Sequence, residues 1–295
     1  MARDIKKIGT RYGNIAYTDT GEGPTALFLH GVLLNGALWD GVIDRVKDMR
    51  RCIAVDLLGH GATGAPPSDV GLSFENNADM LASFCDSIGL DAIDLVGSDS
   101  GGGIAQILAV RHPARFRSLT LTNCDVHNNW PPAAFAPARQ VVASGGGAAL
   151  IRRLLADREL FCQMFSIAYE HPEAISDATI VSYLGPLVAT PAAIAAMERW
   201  FAASDCAQTV KLEARLQQLD IPTLVVWGTA DVFFAVEWGR WLFERIRGAR
   251  KLVELKGAKL LFPQERPQEL AAELREHWQT ASDAAHVCRV PGAAH

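Results

Sequence analysis

The stretch Asp94-Leu95-Val96-Gly97-Ser98-Asp99-Ser100-Gly101-Gly102 decides the fold of this chain. Leu90 to Val96 is a short apolar run of strand character, and Gly103 to Val110 begins a helix that Pro113 ends. A sharp strand-to-helix turn joins them. Its apex is strained, so the residues two before and two after must be small. The turn lifts the apex side chain into a pocket, and it aims the next backbone N–H, at a helix N-terminus, toward developing negative charge. Two registers fit the small residues. Asp99 is flanked by Gly97 and Gly101, whereas Ser100 is flanked by Ser98 and Gly102.

Strand and helix alternate on both sides of this turn. Asn14 to Thr18 and the buried runs Thr25 to Leu29 and Arg51 to Val55 precede it, followed by a helix over about Phe74 to Ile88 with Met80, Leu81, Phe84 and Ile88 on one face. Ser118 to Thr122 is the next strand, and Thr223 to Trp227 and Lys251 to Leu255 come later, with helices at Trp238 to Ile246 and Glu269 to Trp278. Apolar strands alternating with helices predict a mostly parallel sheet covered on both faces. Between Asp125 and Leu216 the pattern is helical only, with segments at Ala148 to Ala156, Leu160 to Tyr169, Asp177 to Leu184 and Pro191 to Ala203. The expected organisation is a sheet core in two parts (1–124 and 217–280), a helical cap (125–216) and a loose tail (281–295).

Composition narrows the function classes. Apolar residues make up 49% of the 295-residue chain and charged residues 21%, the balance of a water-soluble globular protein. The net charge is −5 with no basic stretch, which argues against nucleic acid and acidic membrane surfaces as partners. No apolar run approaches the roughly 20 residues of a membrane span, and the charged start Met1 to Lys7 has no signal-peptide core. Cys52, Cys85, Cys124, Cys162, Cys206 and Cys288 are scattered without paired spacing, so they read as core thiols of a reduced compartment rather than disulfides or a zinc site. A cytoplasmic location is the expectation, with a small-molecule substrate, no metal, no cofactor, and a homo-oligomer left open. No phosphate loop or dinucleotide fingerprint is present.

Over roughly Ile15 to Trp278 the chain resembles the α/β-hydrolase fold superfamily. In that family a Leu-Val-Gly strand end is followed by one residue and then the nucleophile, with small residues six and ten positions on and Pro at fourteen. Counting from Asp99 gives Ala105, Ala109 and Pro113, whereas counting from Ser100 gives none of these. The resemblance therefore favours Asp99 as nucleophile. Leu29-His30-Gly31-Val32 looks like the family's His-Gly turn, which implies oxyanion N–H groups from Val32 and Ser100 and a structural His30 beside the pocket. Asp56-Leu57-Leu58-Gly59-His60-Gly61 is similar to a family scaffold loop, and Val226-Trp227-Gly228-Thr229-Ala230-Asp231 to the strand end bearing the triad acid, at Asp231.

The chain departs from the family where the general base belongs. Members read Gly-Ala-Gly-His ahead of a Glu-Arg-Pro segment. Here Gly257-Ala258-Lys259-Leu260 precedes Glu265-Arg266-Pro267, which puts Leu260 at the His position, and no His lies between Glu254 and Glu276. Leucine accepts no proton, so the usual triad is broken. His127 is the expected substitute, oriented by Asp125, because Thr122 to Trp130 leaves a parallel strand at the sheet edge where pockets form. Asp125 is also a possible relocated acid.

The resemblance within the superfamily is to haloalkane dehalogenases and epoxide hydrolases, whose aspartate attacks carbon to form an ester. It implies a cofactor-free hydrolase for a small apolar or aromatic substrate, with Trp130, Tyr169, Tyr183 and Leu260 at the pocket and the tyrosines as proton donors to an opening epoxide. Ser100 stands where dehalogenases usually place a halide-holding Trp. Two other readings remain open: a lyase or isomerase using Asp99 as general base, and a non-catalytic ligand-binding protein.

Overall fold

The computed structural model describes residues 3–287. Eight strands form one sheet: β1 (Lys6–Thr10), β2 (Gly13–Thr20), β3 (Thr25–Leu29), β4 (Arg51–Val55), β5 (Ile93–Asp99), β6 (Phe116–Cys124), β7 (Thr223–Gly228) and β8 (Ala249–Leu255). Their order is β1-β2-β4-β3-β5-β6-β7-β8, antiparallel at β1–β2 and β2–β4 and parallel from β4 to β8. The central strands are sealed on both faces, which is why they read as unbroken apolar runs: Ala26 to Leu29 and every residue of β5 are buried. β1 has no such signal because it is a largely exposed edge strand.

The helices are α1 (Asp40–Val46), α2 (Phe74–Ser87), α3 (Ser100–Arg111), α4 (Ala136–Ala143), α5 (Gly147–Ala156), α6 (Arg158–Phe165), α7 (Asp177–Val188), α8 (Pro191–Ala202), α9 (Ala207–Val210), α10 (Glu213–Leu216), α11 (Val236–Arg245), α12 (Phe262–Glu265) and α13 (Pro267–Val287). α4 is a helix beyond the four segments expected between Asp125 and Leu216, and it contains Pro137. That proline sits in the first turn, where its missing N–H has no helical partner to lose. Segments α4 to α10 lie between β6 and β7, with no strand among them. α13 runs nine residues past the expected end at Trp278. Residues 281–287 therefore continue the helix, while 288–295, with Cys288 and His295, lie outside the described residues.

Parallel register brings the carboxyl ends of β3, β5, β6, β7 and β8 to one edge. Leu29 pairs with Gly97, Asp99 with Cys124, Thr122 with Val226 and Gly228 with Leu255. Loops leaving these ends converge, and this is where open α/β sheets hold ligands. Among the described residues Cys52, Cys85, Cys124, Cys162 and Cys206 are free thiols, and no single helix is long and apolar enough to cross a membrane.

Candidate active site

Asp99 is the apex of the β5–α3 turn. Its backbone has φ 53° and ψ −130°, a strained conformation for a residue with a Cβ. Its neighbours make the strain possible. A Cβ on Gly97 would stand 2.6 Å from the Gly101 carbonyl oxygen, and one on Gly101 would stand 2.3 Å from that of Leu29. Gly31 is the third requirement, because a Cβ there would lie 2.1 Å from Asp99 Oδ2. The β3 loop can therefore pass close enough for the Val32 N–H to bond the Asp99 carboxyl, alongside the N–H of Ser100. Ser100 is the first residue of α3. Its hydroxyl is fully buried and points to Asp99 Oδ1 at 3.4 Å, so it presents no exposed nucleophile.

His30 holds the turn beneath, not the pocket. Its Nδ1–H donates to the Gly31 carbonyl at 2.7 Å and its Nε2 accepts from the Leu57 N–H at 2.9 Å. Burial pushes its pKa down to about 4, keeping the ring neutral and able to accept. Asp56 accepts the N–H groups of Gly36 and Ala62 and is likewise scaffold. His30 is thus a buried brace of the turn and lines neither of the site's two chambers.

Asp99 opens onto a chamber of about 70 Å³ whose walls include Val32, Leu34, Trp130, Phe233 and Leu260, and no other lining residue is ionisable. A second chamber of about 210 Å³ lies among α4, α5, α6 and α8, wholly apolar, and shares Leu33, Phe135, Phe165, Ala168 and Phe233 with the first. Trp130 reaches the first wall by stacking on Phe74, ring centroids 4.4 Å apart. Leu260 lines the same chamber as Asp99 and no imidazole does.

Two further buried carboxyls surround the nucleophile position without facing the chamber. Asp231 accepts from Asn123 Nδ2 at 2.5 Å, from the Phe233 N–H at 2.7 Å and from the Phe234 N–H. Asn123 Oδ1 in turn accepts from the Gly228 N–H at 2.6 Å. The sequence reading passed over Asn123, although an amide inside the buried strand β6 was the available signal. Asp125 is fully buried and neither of its carboxyl oxygens has a well-formed hydrogen bond. The Ser100 hydroxyl is the one neighbour that favours its charge. Burial, then the charge of Asp99, pushes its pKa well above the ordinary value. Burial, then the charge of Asp231, raises Asp99 to about 7, against the pull of the Ser100 and Val32 N–H groups, and burial raises Asp231 to about 6.

Three expected site residues lie elsewhere. His127 faces away from the chamber: Nε2 is 3.4 Å from Glu213 Oε2 on α10, and the ring lies 5.1 Å from that of Trp241 on α11. Residue 127 has φ 47°, and its carbonyl accepts the Thr209 hydroxyl, which turns the side chain outward. Asp125 therefore does not orient it. Tyr169 and Tyr183 are buried, and their hydroxyls donate to Gln264 Oε1 at 2.7 and 3.3 Å, so they join the helical segment to α12 and line neither chamber. Among the described residues no group of three or more His, Cys, Asp or Glu side chains is placed to hold a metal ion.

A mostly parallel eight-stranded sheet with a strained Asp at the end of β5, opposed by backbone N–H groups, is the arrangement of an α/β-hydrolase fold. A family model described as the α/β-hydrolase fold matches residues 24–144, and the eight-stranded sheet with its flanking helices has the architecture of that fold. It is 28% identical over 273 residues to haloalkane dehalogenase 2 of Mycobacterium bovis, covering 90% of this chain and 92% of the relative. It is 29% identical over 240 residues to a pimeloyl-[acyl-carrier protein] methyl ester esterase of Neisseria meningitidis, covering 79% and 70%. A solved α/β-hydrolase-fold protein from Burkholderia ambifaria superposes with a TM-score of 0.79 at 24% identity, covering 91% of this chain and 96% of that one. These relatives are hydrolases of the α/β fold, a haloalkane dehalogenase and a methyl ester esterase among them.

Proposed function

We propose that Asp99 is a nucleophile toward an apolar alkyl electrophile with a leaving group that departs as a stable anion. The carrying observation is the carboxyl itself: held by two N–H groups at the floor of a chamber that contains no other ionisable side chain. One oxygen attacks the carbon, the bond to the leaving group breaks with its electron pair, and an alkyl ester of Asp99 forms. No proton moves in this step. That suits a chamber without an acid, and it favours halides or sulfonates over epoxides, whose opening oxygen needs a proton donor that Tyr169 and Tyr183 do not supply. The reacting carbon sits in the small chamber, and an apolar tail extends into the larger one. Small substrates would leave the second chamber empty.

A second reading is favoured by one observation. With its pKa raised to about 7 and no imidazole beside it, Asp99 also fits a general base for elimination or isomerisation. Incubation with primary bromoalkanes of increasing length, reading bromide release and any alkene, separates the two. Bromide without alkene, dependent on Asp99, supports attack at carbon; alkene supports base chemistry; neither product sinks both.

A further inference from the structure

Cleavage of an alkyl ester on Asp99 requires water at the ester carbon and a group to take its proton. The Val32 and Ser100 N–H groups would hold the resulting oxyanion, but neither requirement upstream of it is met. A retained water needs about two to four polar partners; apart from Asp99 the lining side chains are apolar save the Trp130 indole, whose N–H is buried without a partner and accepts no proton, and the Val32 and Ser100 N–H groups are already bonded to the Asp99 carboxyl. Leu260 occupies the wall where an imidazole would stand. Asp231 is taken up by three donors, and Asp125 is enclosed away from the chamber.

The loop around Leu260 is also fastened. Lys259 Nζ donates to the Ser166 and Tyr169 carbonyls at 2.6 and 3.1 Å, and the Leu261 N–H donates to the Ala168 carbonyl at 3.0 Å. Glu265 accepts the N–H groups of Glu170 and His171, and Arg266 forms an ion pair with Glu170. These bonds tie both sides of Leu260 to the segment 166–171 that follows α6, so the loop does not swing aside to admit another base.

We infer that the protein captures a primary alkyl halide or sulfonate as a persistent ester on Asp99, one equivalent per chain. This rests on the nucleophilic reading above. Capture also removes a buried charge from the cluster of Asp99, Asp125 and Asp231, so the labelled protein is the more stable form above neutral pH.

The test uses the full chain with excess 1-bromohexane at pH 8, followed by bromide release, intact mass and peptide mapping. The expected result is a single equivalent of bromide, one hexyl group replacing a proton on Asp99, and a higher melting temperature. Alkaline hydroxylamine should release the group from the unfolded adduct, which marks it as an ester. Leu260→His should shorten the adduct lifetime on the order of 10²-fold or more, the ordinary contribution of a general base. If that variant fails to fold, the wild-type stoichiometry alone decides. Continuing bromide release that depends on Asp99, without a lasting adduct, overturns persistent capture but leaves Asp99 as nucleophile. No bromide and no adduct overturn the nucleophilic reading as well.

Discussion

The two halves of the site are built to different standards. At the ends of β3 and β5, Gly31, Gly97 and Gly101 each fit where no Cβ would, and the result is a strained Asp99 gripped by two N–H groups. At the ends of β6, β7 and β8, two acids remain, one wired to Asn123 and the other without a well-formed bond, neither of them lining the substrate space, and a leucine stands in its wall. The first half supplies what attack at carbon needs. The second has carboxyls but nothing for them to orient. Ester formation and ester cleavage are therefore separable demands on one fold, and the chemistry proposed for Asp99 draws on the first half alone.

The largest effect that would break this contrast is at Asp99. Asp99→Asn should abolish bromide release and adduct formation, a loss on the order of 10⁴-fold or greater, as when other enzymes lose their nucleophile. Stability should change in the opposite sense. The folded carboxyl keeps its proton up to about 7 against 3.8 in the unfolded chain, so its contribution is full below 3.8 and is lost as pH rises through 7. Thermal melts should show Asp99→Asn more stable than wild type at pH 8 and equal to it near pH 3.5. Unchanged turnover in this variant would defeat the assignment.

Gly31→Ala comes next. Its methyl group cannot share space with Asp99 Oδ2, so the β3 loop must retreat and take the Val32 N–H with it. Labelling should slow by about 10²- to 10³-fold, the usual cost of one oxyanion donor, with an unchanged circular dichroism spectrum. If the rate survives, the N–H grip is not what readies Asp99.

How far the sequence carried the site follows the same division. The β5 turn was legible because local sterics dictate small residues at fixed spacing, and the buried strands because parallel packing demands continuous apolar runs. Leu260 was legible only by its distance from Glu265-Arg266-Pro267. The side-chain direction of His127 was not. Chain position put it at the right sheet edge, but a positive φ and contacts to Thr209, Glu213 and Trp241, some 80 or more residues away, turn it outward. Tyr169 and Tyr183 failed for a related reason: their partner Gln264 lies in another segment altogether.

A smaller effect sharpens the electrostatic side. Attack needs the ionised carboxyl, so with its pKa near 7 the labelling rate should rise about tenfold from pH 6 to pH 8. The charge of Asp231 is part of what holds that pKa up. Asp231→Asn should therefore move the midpoint downward and raise the rate at pH 6, measured by stopped-time mass spectrometry. A midpoint that stays fixed would mean burial alone sets it.

The smallest expected effect separates the site from its surroundings. His127 is two residues from Asp125, on a loop at the correct edge of the sheet, and any imidazole acting in this chemistry would be sought there first. Its ring nonetheless pairs with Glu213 and rests against Trp241, on the far side of the loop from the chamber. His127→Gln should leave labelling rate, adduct lifetime and pH midpoint within a factor of two of wild type, while Leu260→His changes the lifetime by far more. A lifetime lengthened by His127→Gln would show that this imidazole reaches the ester after all, and the second half of the site would then hold a base that the packing around residue 127 conceals.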